Sequence, residues 1–114
     1  MVGRAGTDPR EAGDAVTRVL RVRPEAEEEL LAAAEWYEAR KPGLGAELVA
    51  AVDEALERIV DAPLASQIWR PGTPHRSHPL RRFPYVVFFV VDDATVEVVA
   101  IAHGKRWPGY WRGR

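Results

Sequence analysis

The chain has 114 residues, 46% hydrophobic and 29% charged, with a formal net charge of -1, which bounds it to one domain with one modest core and excludes a disordered chain. It has no cysteine, so a disulfide framework, a thiolate zinc site and a cysteine nucleophile are excluded. The longest apolar run, Val86 to Val91, is strand-sized and far short of the ~20 residues of a membrane helix, and the charged N-terminus lacks a signal-peptide core; the expectation is a cytoplasmic protein with no membrane partner.

Residues 1–18 mix Gly, Pro and both charge signs without a period and read as a flexible tail ahead of one domain over 19–114. Val19 to Arg23 is rich in β-branched residues and reads as a short strand. Pro24 then suits the first turn of a helix, and the acids Glu25, Glu27, Glu28 and Glu29 match its positive end. Ala26, Leu30, Ala33 and Tyr37 form one helical face, widened by Trp36, and Pro42-Gly43 stops the helix. Leu48, Val52, Ala55 and Ile59 repeat the same spacing, so a second helix should fold back as an antiparallel hairpin. The prolines of 63–74 predict a loop, and His75 to Leu80 an edge strand weakened by Pro79. Tyr85 to Val91, apolar on both faces, predicts a central strand. After the turn at Asp92-Asp93, Val96, Val98, Ala100 and Ala102 alternate with Glu97, Val99, Ile101 and His103 in a last strand. The class is α+β: a helical hairpin packed on a small antiparallel sheet, in the order β-α-α-β-β-β.

Charge is divided along the chain. Residues 1–67 carry eight Lys/Arg against fourteen Asp/Glu, and residues 68–114 carry eight against three. The basic C-terminal half either meets an anionic partner or is neutralised by the acidic hairpin within the fold. The end, from His103 to Arg114, holds four cations and four rings without an acid. If the last two strands are antiparallel neighbours, position 82 lies near 103–106 and gathers cations at one sheet edge. Arg81, Arg82, Lys105 and Arg106 are therefore the candidate anion- or target-binding group. His103, Arg82 and Tyr110 are the residue types in this region that could move a proton or hold an anion. Each also has a structural reading: His103 as a strand cap, the arginines paired with the hairpin, and Trp107, Tyr110 and Trp111 packed on the domain or a partner. Trp36 and Tyr37 read as core or hairpin-packing residues. His75 and His78 read as exposed histidines with no third ligand, so no metal site and no cofactor is expected.

Several stretches resemble toxins of the RelE/ParE superfamily of bacterial type II toxin–antitoxin systems. These are Arg21-Val22-Arg23-Pro24-Glu25-Ala26-Glu27-Glu28-Glu29-Leu30, Trp36-Tyr37-Glu38 before Pro42-Gly43-Leu44-Gly45, Ile59 to Pro63, Leu80-Arg81-Arg82-Phe83-Pro84-Tyr85 before Val86-Val87-Phe88-Phe89, and Val98 to His103 with Arg106 and Pro108. The resemblance spans about residues 20–112. It implies a toxin neutralised by a cognate antitoxin in a hetero-oligomer, with either DNA gyrase or ribosome-bound mRNA as target; for a RelE-like toxin it implies metal-free RNA cleavage, with a base, an acid and cations on the phosphate drawn from His103, Arg82 and Tyr110. The hairpin and the tail from His103 to Arg106 resemble the ParE side, which implies gyrase inhibition; an mRNA endonuclease and a non-toxic binding module of the same fold are the alternatives. Antitoxin contacts are expected at Leu48, Val52, Trp107 and Trp111. A parallel strand pair, or scattered C-terminal cations, would count against this reading.

Overall fold

A computed structural model of the chain describes residues 17–114; the tail expected over 1–18 lies almost wholly outside them. The elements are β1 (Val19–Val22), α1 (Pro24–Arg40), α2 (Leu44–Asp61), a 3-10 turn (Pro63–Ala65), β2 (Gln67–Ile68), β3 (Arg76–Pro79), β4 (Tyr85–Val91) and β5 (Thr95–His103). The strands form one sheet in the order β1-β5-β4-β3-β2, with the helical hairpin across one face.

Local chemistry sets the helix ends. Pro24 opens α1 with Glu25 and Glu27 in its first turn and Arg40 in its last. Gly43, at φ 90°, turns the chain where a side chain would be strained. It has no side chain with which to cap α2, so α1 supplies the cap: Glu38 accepts from the Gly43 N–H at 2.9 Å and the Gly45 N–H at 3.0 Å. Gly45 also lets the helices approach closely, since a Cβ there would lie 2.5 Å from the Ala34 carbonyl oxygen.

The apolar faces behave as their spacing predicts. Ala26 and Ala33 of α1, and Leu48, Val52 and Ile59 of α2, close over Val87, Phe89, Val96, Val98 and Ile101. The opposite sheet face has its own smaller core. There the C-terminal segment folds back so that Trp111, 1% exposed, packs with Val99 and Ala100 and stacks on Phe88, with ring centroids 4.4 Å apart.

Three features depart from the expectation. The sheet is mixed: four strands pair antiparallel, but β1 pairs parallel to β5, with Val19 opposite Thr95 and Val22 opposite Val98. A parallel pair needs a long crossover, and here everything from Arg23 to Ala94 serves as one. The loop expected over 63–74 contains the short strand β2, which extends the sheet beyond β3. Finally, β5 carries a bulge: Phe88 faces Ala100 while Phe89 faces Val98, leaving Val99 as the extra residue. The bulge reverses the alternation, so Val96 and Val98 share the helix-side core with Ile101, while Val99 and Ala100 both belong to the other face.

Candidate functional site

The bulge is what brings His103 to the helical side. It pairs with Tyr85 at the end of the β4–β5 ladder, where the two rings meet edge to face at 5.2 Å. The chain then turns: the Gly104 N–H donates to the Pro84 carbonyl at 2.7 Å and the Arg106 N–H to the His103 carbonyl at 2.9 Å. The Lys105 N–H donates to His103 Nδ1 at 3.0 Å, so a neutral ring carries its proton on Nε2. The hairpin turn reaches the same end through Tyr37, whose ring lies 5.1 Å from Phe83 and 6.3 Å from Tyr85.

Loops 81–84 and 104–106 therefore meet at one rim, and Arg81, Arg82, Lys105 and Arg106 are all exposed there. Their side chains divide into two groups. Arg82 turns to α2 and pairs with Glu47 at 2.7 Å, and Arg81 and Arg82 border a hollow beside Ala51, Arg58 and His78. Arg106 turns the other way and lies over the Tyr110 ring at 4.0 Å.

Between α1 and the end of β5 lies a cleft of about 390 Å³, bordered by Glu29, Ala32, Trp36, Tyr37, Tyr85, His103 and Arg106. Among the described residues β1 stops opposite Val98, and beyond that point no described strand lies beside β5 on this side. Side chains take the place of one: the Ile101 N–H donates to Glu29 at 3.0 Å, and Arg114 donates to the Val99 carbonyl at 3.0 Å. Glu29 also accepts from the Tyr110 hydroxyl and from both Arg114 terminal nitrogens, at 3.1 and 3.2 Å. A second hollow, on the tail side of the sheet, is bordered by Trp69, Arg70, His103, Arg106 and Trp107.

The three residues expected to cleave RNA do not converge. Arg82 is paired with α2. The Tyr110 hydroxyl is committed to Glu29, and burial together with that bond drives its pKa far above the ordinary tyrosine value, so it stays protonated and occupied. His103 alone borders the open cleft. Of the expected antitoxin contacts, Leu48 and Val52 are fully buried between hairpin and sheet, and Trp111 is sealed in the second core, so they have no surface to offer. Trp107 is 80% exposed.

Trp36 corrects in the other direction. It is half exposed, with Arg40 stacked on its ring at 3.4 Å, while Tyr37 is the residue that packs inward. His75 and His78 are half-buried rather than exposed. His75 packs against Trp111 at 4.6 Å and His78 sits beside Ser66, and burial lowers the pKa of both. Sequence reasoning missed Glu29 and Arg114. Glu29 is one of four glutamates in five residues, and only its position opposite the free stretch of β5 sets it apart.

The site thus sits on a two-helix hairpin over a small mixed sheet, with a basic rim at one end of the β4–β5 ladder. A sequence model of the ParE toxin of type II toxin–antitoxin system, parDE, matches residues 20–108, and the chain belongs to that family. No individually curated protein matches it. Among solved structures it is similar to the chromosomal ParDE toxin–antitoxin system from P. aeruginosa, at 16% identity and TM-score 0.70, covering 78% of this chain and 98% of that one. It is also similar to the toxin–antitoxin complex RelBE2 from Mycobacterium tuberculosis, at 22% identity and TM-score 0.53, covering 78% and 93%. At these identities the likeness speaks for the fold. The parallel β1–β5 pair does not count against the family, because the family match runs through both strands.

Proposed function

We propose that this chain arrests bacterial growth by binding DNA gyrase without cutting RNA, and that a cognate antitoxin holds it inactive in the cytoplasm. Family membership supports the toxin role. The observation that carries the choice of target is the dispersal of the polar groups RNA cleavage would need. Tyr110 is held by Glu29 and Arg82 by Glu47, while Arg81, Lys105 and Arg106 stay on the surface as a binding rim. Such a rim suits recognition of a large anionic partner by charge and shape. The antitoxin partner is supported by the two fold relatives, which come from toxin–antitoxin systems. Exposed apolar groups on the outside of α1 (Leu31 and Trp36), together with Trp107, provide surface for it. No described helix is long and apolar enough to cross a membrane.

The deciding experiment expresses the chain alone under an inducible promoter and measures two things: DNA breaks that depend on gyrase, and cleavage of mRNA. Purified chain should block supercoiling by gyrase while leaving RNA intact. Cleavage at ribosome-positioned codons would overturn the gyrase reading in favour of an mRNA endonuclease, and normal growth with neither effect would leave a non-toxic binding module.

A further inference from the structure

The cleft between α1 and the end of β5 holds hydrogen-bond donors and, among the described residues, no uncommitted carboxylate. Its one carboxylate, Glu29, already receives the Ile101 N–H, the Tyr110 hydroxyl and both Arg114 terminal nitrogens, so its charge is neutralised in place. The other polar residues that border the cleft are Arg106, His103 with its Nδ1 occupied by the Lys105 N–H, and the tyrosines Tyr37 and Tyr85. Burial and the neighbouring Tyr37 push the Tyr85 pKa up, which keeps that hydroxyl a donor. Arg106 has no carboxylate within ion-pair distance among the described residues.

The other wall is apolar. Ala32 and Trp36 lie on the outer side of α1, next to Leu31, which is 62% exposed. A helix that buries Ala26 and Ala33 inward yet shows Leu31 and Trp36 outward has a second face suited to contact. The aromatic rings offer no slot for a nucleobase. Trp36, Tyr37 and Tyr85 meet one another edge to face, and one face of Trp36 is covered by Arg40. A flat base would need parallel, open faces.

We infer that this cleft is a socket for a peptide segment of a protein partner that presents an aspartate or glutamate next to an aliphatic side chain. The carboxylate meets Arg106, His103 and Tyr85, and the aliphatic group lies against Ala32 and Trp36. The match is one of charge: Arg106 and hydrogen-bond donors with no uncommitted carboxylate on one wall, and apolar carbon on the other. The inference deepens the toxin reading by giving the chemistry of a protein that grips the chain here, and rests on that reading for the partner's biological role.

The test is a selection of short random peptides displayed on phage against the full-length chain, followed by fluorescence anisotropy of the enriched peptide. Enriched sequences should carry an acid beside Leu, Ile or Val. Binding should weaken about tenfold or more in Arg106→Ala, as expected for a lost charge-assisted bond, and comparably in Ala32→Trp, which fills the socket from an exposed position. Arg70→Ala removes the same charge from the opposite sheet face and should leave binding intact. Thermal melts matching the wild type establish that each variant is folded. Acid-free or absent consensus sequences, insensitivity to Arg106→Ala, or an equal loss in Arg70→Ala would overturn the socket. Displacement of the peptide by a short RNA that itself needs Arg106 would transfer the site to nucleic acid and overturn the peptide assignment. Growth arrest without an Arg106-dependent peptide removes the socket alone, whereas socket binding without growth arrest removes the toxin reading alone.

Discussion

Trp111→Ala is the sharpest probe of how this chain spends its C-terminal aromatics. The ring is 1% exposed, stacked on Phe88 at 4.4 Å and 29°, and touched edge-on by His75 at 4.6 Å and Trp69 at 4.7 Å. Truncating a buried Trp costs about 3–5 kcal/mol, part of it the loss of ring–ring geometry worth about 0.5–1.5 kcal/mol per pair. Against a total stability of about 5–15 kcal/mol for a small domain, that is about a fifth or more. With about 4–8 °C lost per kcal/mol in a domain of this size, the melting temperature should fall by roughly 12 °C or more. Far-UV circular dichroism on heating, or urea unfolding read at Trp69, measures it. Trp111→Phe keeps a ring against Phe88 and should lose only about 1–2 kcal/mol. A Trp111→Ala protein melting within about 3 °C of the wild type would refute the packing. The C-terminal segment would then be free in solution and its tryptophan available to a partner.

Gly45→Ala tests the hairpin contact. Alanine normally helps a helix by about 1 kcal/mol over glycine, but here its Cβ meets the Ala34 carbonyl oxygen at 2.5 Å, so a net loss of about 1–3 kcal/mol is expected in denaturant titration. Arg82→Ala breaks an exposed pair with Glu47 and should change stability by less than about 1 kcal/mol; Lys105→Ala removes an exposed rim cation, and if the rim grips the target, growth arrest weakens while the melting temperature holds. Tyr110→Phe tests the bond to Glu29 through pH. The native pKa of Tyr110 is raised by burial and by Glu29, so the stability that comes from keeping its proton is full below about pH 10 and is lost as pH climbs through the raised native value. Urea midpoints from about pH 8 to about pH 11 should therefore fall less steeply in Tyr110→Phe than in the wild type.

What the sequence disclosed follows from which forces are local. The i, i+4, i+7 spacing of Ala26, Leu30 and Ala33, and of Leu48, Val52 and Ala55, is a property of neighbouring residues, and both helices form where that spacing runs. Tyr85 to Val91 is apolar on both faces because both faces are covered, by the hairpin and by Trp111. The direction of β1 was not legible. Four residues that are rich in Val read the same in a parallel or an antiparallel pair, and the long chain between β1 and β5 allows either direction. The bulge at Val99 was hidden in an unbroken run of strand-forming residues, and it decides which face His103 joins. The basic rim was legible as a set of residues, but its division was not. Whether Arg82 points to Lys105 or to Glu47 depends on a helix far away in sequence.

The uneven charge along the chain admits two explanations, and the ion pairs separate them. If the acidic hairpin existed to neutralise the basic end, the rim cations would be paired with it. Two basic side chains of the C-terminal half are: Arg82 with Glu47, and Arg114 with Glu29. Only the second pair is largely shielded from water, and its role is to close the free stretch of β5. Arg81, Lys105 and Arg106 have no carboxylate within ion-pair distance among the described residues, and all three are exposed at one end of the sheet. Exposed like charges gathered at one rim repel one another slightly and contribute nothing to folding, so their grouping is better explained by something they meet. Since salt screens such charges beyond about 8 Å at physiological ionic strength, association at this rim should slow as salt rises, while the hold of the Glu29–Arg114 pair should barely change.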